Sequence, residues 1–192
     1  MDTTQISCTL KEVRSFLGVY PSDMLPRSVT RLGTVTINAD PHTEKGSQWL
    51  AVHLRPKSSS AFYFDSYGIV PLVPAIQAFI KRNCITWEHN RRQLQSLTSN
   101  NCGKCCCLFV LYMDRGFTPK QFVGLFDGGA QQPADRCIDL AFAPNSDRCR
   151  REAAEAGRGD NAVPAFYKKI GTDRSYVILS YIGGLYGVRD RF

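Results

Sequence analysis

Histidine is scarce in this 192-residue chain: three residues, His42, His53 and His89, supply every imidazole. Methionine (three) and tryptophan (two) are also rare. No apolar stretch approaches the roughly 20 residues needed to cross a bilayer as a helix. Met1 to Lys11 has neither the basic start nor the apolar run of a secretory leader, so the chain is expected to stay inside the cell, in cytoplasm or nucleus. No internal repeat is present. There is no Lys/Arg-rich run either, although the formal net charge is +7. The excess is spread over the first 132 residues, 14 basic against 9 acidic, which favours a solvated basic surface over a defined nucleic-acid track.

With 43% hydrophobic residues and 21% charged residues the composition is that of a folded globular chain, long enough for one domain with a sizeable core. We expect one main domain over 1–132 and a C-terminal extension over 133–192. The extension is partly charged, weakly patterned, and open to disorder. Eight cysteines in a reducing compartment are expected to be thiols, and four of them crowd into Cys102 to Cys107, where neighbours cannot all pair.

The local patterns predict the following elements. Thr9 and Glu12 fit a capping box, which predicts a helix over Leu10 to Leu17 before Gly18. Tyr20 to Pro26 reads as loop. Gly33 to Asn38, Gln48 to Leu54 and Ala61 to Ser66 read as strands, the last two joined as an antiparallel hairpin. A helix follows from Pro71/Pro74 to Arg82, then short strands at Ile85 to Trp87 and Arg92 to Leu97. His89 reads as a surface-loop residue. Cys102 to Met113 is apolar around most of its circumference and predicts a central helix. Thr118-Pro119 opens another, through Phe126 to a stop at Gly128-Gly129. In the extension only Ser175 to Ile182 looks like a strand.

The chemistry concentrates at Ser99-Asn100-Asn101-Cys102-Gly103, where a polar loop passes into the apolar helix. A thiol in the first turn of a helix lies at the positive end of the dipole beside amides with no intrahelical acceptor, an environment that favours thiolate. Cys102 is therefore the candidate nucleophile. Asp65, at the end of an apolar strand, is the candidate orienting carboxylate, and Gln95 the candidate side-chain donor to an oxyanion beside the Cys102 amide.

The ordered set Phe16 to Tyr20, Gln48-Trp49, Phe64 to Gly68, Gln95 and Cys102-Gly103 resembles one family. It is similar to the adenovirus endopeptidase (adenain) and its relatives, the ubiquitin-like-protein-specific (SUMO-type) proteases and the peptidases of Polinton/Maverick-type transposons and viruses. The step of seventeen residues from Gln48 to Asp65 and of seven from Gln95 to Cys102 carry the resemblance, which spans Leu10 to Asp127.

The resemblance implies an α+β, papain-like fold in which the cysteine-bearing helix packs on a mixed, largely antiparallel sheet. It implies thiol-dependent cleavage of a polypeptide, in a viral or transposon protein or a ubiquitin-like precursor or conjugate. We expect a monomer with no metal and no cofactor; DNA or a peptide as activator is what the resemblance alone would add. Trp49, beside the base position, would pack in the core and wall the substrate groove.

The departure is Gln48, which stands where the family carries its catalytic histidine. An amide cannot take and return a proton near neutral pH, so activity is expected to be impaired. The alternative is a binding module that keeps the groove for a ubiquitin-like protein or processing-site peptide without turnover. His53, an odd offset of five along the strand from Gln48, is predicted to face the opposite side of the sheet. Cys102-Gly103-Lys104-Cys105 is also a C-x-x-C, but it lacks both the βαβ opening of a redox domain and a second ligand pair for zinc. Cys105, Cys106 and Cys107 are read as small apolar fillers.

Overall fold

The computed structural model describes residues 1–126, which lie within one compact unit, Met1–Gln131. Expectations for 133–192, including the strand at Ser175 to Ile182, and the helix stop at Gly128-Gly129 lie outside the described residues.

Helix α1 (Thr3–Leu10) is followed by strands β1 (Phe16–Pro21), β2 (Gly33–Asn38), β3 (Trp49–Arg55) and β4 (Ser60–Asp65). Helix α2 (Pro74–Asn83), strand β5 (Thr86–His89), and helices α3 (Cys102–Asp114) and α4 (Pro119–Gly124) complete the unit. The five strands form one sheet in the order β1-β2-β3-β4-β5. The centre, β2-β3-β4, is antiparallel, and each edge strand joins it in parallel. This is the expected α+β class, with the cysteine-bearing helix against a mixed sheet.

Alternation along the strands gives the sheet two apolar faces. Val35, Ile37, Leu50, Val52, Leu54, Ala61 and Tyr63 meet Ile76, Phe79 and Ile80 of α2 on one face. On the other, Phe62 and Phe64 stack on Phe109 of α3 with ring centroids 6.1 and 4.6 Å apart. Six of the seven residues of β3 are buried, which explains why its sequence reads as apolar throughout. Eleven of the thirteen residues of α3 are buried, as expected of a helix apolar all round.

Several local expectations fail for physical reasons. The N-terminal helix starts at Thr3, not Leu10, because Asp2 and Gln5 form a reciprocal capping box at 2.8 and 2.9 Å. Thr9 instead donates its hydroxyl to the Gln5 carbonyl inside that helix. Phe16 to Pro21, expected to end a helix and open a loop, is edge strand β1, recruited by parallel pairing with β2. Proline is tolerated at the end of such an edge.

Arg92 to Leu97, expected as a strand, makes no ladder. Leu94 and Gln95 both donate their amides to one acceptor, the Ser66 carbonyl, at 2.7 and 3.1 Å. The strand expected at Ile85 to Trp87 is shifted to Thr86–His89, so His89 ends a strand and does not lie in a loop. The last helix stops at Gly124 and turns through Phe126.

Candidate active site

Cys102 is the first residue of α3. Asn101 precedes it with φ −94° and ψ 2°, and the first intrahelical bond runs from the Cys105 amide to the Asn101 carbonyl at 2.9 Å. Helix geometry therefore gives the amides of Cys102 and Gly103 no intrahelical acceptor. Gly103 sits in a tight approach: a Cβ there would lie 3.2 Å from Trp49 Cδ1 and 3.0 Å from Met1 Cβ, so both side chains would have to give by a few tenths of an ångström. The Trp49 indole lies under the first turn of α3, 7% exposed, with its N–H donated to the Met1 carbonyl at 2.8 Å.

Asp65 closes β4. Its backbone is held on both sides by one side chain: Asn90 Oδ1 accepts from the Asp65 amide at 3.0 Å, and Asn90 Nδ2 donates to the Asp65 carbonyl at 2.6 Å. Gly68, at φ +73°, folds the chain back by donating to the same carbonyl at 2.8 Å. A Cβ on Gly68 would strike the Arg92 carbonyl at 2.7 Å, so this turn admits only glycine.

The Asp65 carboxylate is 5% exposed. Burial raises its pKa above the ordinary carboxylate value, and donors from Tyr67, Gln48 and Ile69 oppose that rise.

Gln48 reaches this carboxylate. In the β3–β4 hairpin Leu50 pairs with Asp65, so the residue two positions before Leu50 is its diagonal neighbour. That register converts the seventeen-residue step into a contact. Gln48 Nε2 donates to Asp65 Oδ1 at 3.0 Å and lies 3.5 Å from Ser66 Oγ. Ser66 Oγ in turn donates to Gln95 Oε1 at 2.8 Å.

Gln95 is 1% exposed, and its Nε2 donates to the Ser99 carbonyl at 2.5 Å and the Tyr67 hydroxyl at 3.2 Å. Both of its amide hydrogens are engaged, so Gln95 offers one to an oxyanion only by exchanging a partner. Gln48, Asp65 and Gln95 are thus joined in one polar chain through Ser66.

The Cys106 thiol is fully buried within α3. Burial pushes its pKa well above the ordinary thiol value, and the nearby Cys105, Cys102, Cys107 and Asp65 add to the effect. Cys107, also fully buried, is pushed up to about 12. These thiols pack as small apolar groups. Cys102 and Cys105 both carry their sulfur as thiols, outside any disulfide. Among the described residues no group of three or more His, Cys, Asp or Glu is arranged to hold a metal.

The histidines lie elsewhere. His53 is 4% exposed, bonded through Nδ1 to Thr34 Oγ1 at 2.9 Å and edge-on to Phe109. Burial lowers its pKa to about 4, so it is a neutral core residue near pH 7. His42 is exposed and paired with Asp23 at 2.6 Å. His89 packs beside Trp87 at 6.0 Å between ring centroids.

Sequence reasoning missed Asn90, Ser66 and Ser99. No spacing marks them, since each works through a backbone group or a side chain that only the fold brings near. The Tyr67 hydroxyl also accepts from Gln95.

No family model matches the chain. It is similar to the protease of Human adenovirus A serotype 12, 28% identical over 111 residues. The match covers 50% of this chain and 53% of that protein, so the chain spans about half the length of this curated relative. The crystal structure of the selenomethionine ASFV pS273R protease aligns at a TM-score of 0.38 and 16% identity, over 53% of this chain and 40% of that one. At that score the fold assignment rests on this chain's own sheet and helices. The sequence similarity is to a protease of the adenain kind.

Proposed function

We propose that this chain is a cysteine-type peptidase of the adenain-like kind, with Cys102 as nucleophile, Asp65 as orienting acid, and Gln48 in place of the base. The observation that carries the reading is the Gln48–Asp65 hydrogen bond at 3.0 Å. An imidazole on the same strand position would donate one ring N–H to Asp65 and offer its other nitrogen to a thiol. Glutamine reproduces the donor half of that arrangement and lacks the acceptor half for proton transfer.

The chemistry is attack of the Cys102 sulfur on a peptide carbonyl. The Cys102 backbone amide, and Gln95 after release of one partner, supply donors to the oxyanion. Collapse of the tetrahedral intermediate breaks the C–N bond, the amine leaves carrying the proton given up by the thiol, and water then hydrolyses the thioester to free the Cys102 thiol. With Gln48 in place of the base, no side chain among the described residues is positioned to take the Cys102 proton. The substrate is a polypeptide, in a viral or transposon protein or a ubiquitin-like precursor or conjugate, and the protein acts as a monomer.

The test compares the chain with its Gln48→His variant on a fluorogenic peptide and on a SUMO-type precursor. Restoring general-base catalysis is expected to raise kcat/KM by roughly 100- to 10,000-fold, with Cys102→Ala abolishing the gain. Equal rates for the two proteins, or a gain that survives Cys102→Ala, would overturn the reading. The Gln48–Asp65 bond also favours a second reading, since it satisfies the acid without any base. Under it the unmodified chain binds the same polypeptides and releases them uncut, and the histidine variant gains no turnover.

A further inference from the structure

The first turn of α3 carries two thiols three residues apart, Cys102 and Cys105. Three steps of an α-helix separate Cα atoms by about 5 Å, inside the roughly 4.4–6.8 Å over which a disulfide closes. The Cys102 amide has no intrahelical acceptor, the first bond of the helix running from the Cys105 amide to the Asn101 carbonyl. An adjustment of Cys102 that closes the bridge therefore costs no hydrogen bond donated by its own amide. Cys106, one residue further on, is fully buried, whereas Cys102 retains 9% of its surface and Cys105 2%. A peroxide reaches the rim of this cluster at Cys102 and not at Cys106.

We propose that Cys102 and Cys105 form a reversible intrahelical disulfide when a peroxide is present, masking the nucleophile position. The Cys102 thiolate attacks one peroxide oxygen, an S–O bond forms, the O–O bond breaks, and hydroxide leaves with the proton that Cys102 gave up. Cys105 sulfur then attacks the sulfur of the resulting sulfenic acid. The S–S bond forms, the S–O bond breaks, and the departing hydroxide takes the Cys105 proton as water. Two thiols lose two electrons, and one hydrogen peroxide becomes two waters. A neighbouring thiol that resolves the sulfenic acid also protects Cys102 from irreversible oxidation. The masking of an active nucleophile rests on the proposed peptidase reading, but the bond itself requires neither a base nor turnover.

The experiment treats the full chain with hydrogen peroxide, blocks free thiols, and digests it unreduced with trypsin. Lys104 lies between the two cysteines, so cleavage separates 93–104, which holds Cys102, from 105–115, which holds Cys105, Cys106 and Cys107. The expected result is that the two peptides remain joined, with fragmentation assigning the link to Cys105 and dithiothreitol releasing them. Alkylation of Cys102 falls by about tenfold or more on oxidation and returns on reduction. The link persists in Cys106→Ser and disappears in Cys105→Ser.

A link from Cys102 to Cys106, Cys8 or a tail cysteine, a sulfinic acid at Cys102 without a link, or no change would each overturn the proposal. Fragmentation of the unmodified chain decides the partner even if a serine variant does not fold. Because the readout is mass, its failure leaves the peptidase reading untouched, and loss of peptidase activity leaves the disulfide untouched.

Discussion

His53 illustrates at the residue scale why identity alone does not make a base. Its imidazole is held in the sheet by Thr34 and packed on Phe109, and burial lowers its pKa from 6.5 to about 4. A histidine with a depressed folded pKa contributes stability that is complete above about 6.5 and is lost as pH falls toward about 4. At pH near 4.5 the loss from this residue is about 2–3 kcal/mol. Denaturant unfolding at pH 7 and pH 4.5 is expected to show that fall in the native chain and a clearly smaller one in His53→Gln. An equal fall in both would assign the acid sensitivity elsewhere.

Asn90 makes a second residue-scale case, because its side chain occupies both backbone groups of Asp65 and the Arg92 carbonyl. Asn90→Ala would leave the Asp65 backbone amide without its acceptor, at a cost of about 1–3 kcal/mol in unfolding free energy. It should also reduce the activity gained by Gln48→His, since Asp65 would lose its fixed position. A variant of unchanged stability would mean that water replaces the clamp.

Among the elements, α3 connects the core to the chemistry. Its Phe109 stacks on Phe64 at 4.6 Å and meets Phe122 of α4 edge-on at 5.4 Å. The helix that presents Cys102 is thus fixed along its length by β3, β4 and α4. Phe109→Ala removes a large buried ring from that junction and is expected to cost about 3–5 kcal/mol. The thermal midpoint should drop steeply, and the alkylation rate of Cys102 should change with it as the first turn loosens. Unaltered stability would show that the sheet carries the helix without the aromatic cluster.

At the scale of the whole molecule, the scattered basic charge predicts no more than non-specific, salt-sensitive attraction of polyanions. The formal charge is +7, but the basic residues are scattered over the sequence without a run. Retention on duplex DNA is therefore expected to be sequence-independent and to fall steeply between about 50 and 200 mM salt. Binding that persists at higher salt, or that discriminates between sequences, would require a basic track that the scatter does not supply.

The sequence by itself determined the elements with strong periodicity or clear punctuation: β2, the β3–β4 hairpin, α2, and the central helix starting at Cys102. Their patterns are local, and burial on both faces of the sheet only reinforced them. The sequence also singled out Gln48, Asp65, Gln95 and Cys102 by order and spacing. Their meeting followed from hairpin register for Gln48 and Asp65, which is a local consequence of the turn.

The tertiary structure alone decided that Phe16 to Pro21 is a strand, because a parallel edge is made by its partner and not by its own residues. It alone decided that Arg92 to Leu97 is a loop, since one carbonyl, that of Ser66, captures two of its amides. It also recruited Asn90, Ser66 and Ser99 to the site. A single hydrogen-bonding side chain has no sequence period, so only the approach of distant segments reveals what it holds.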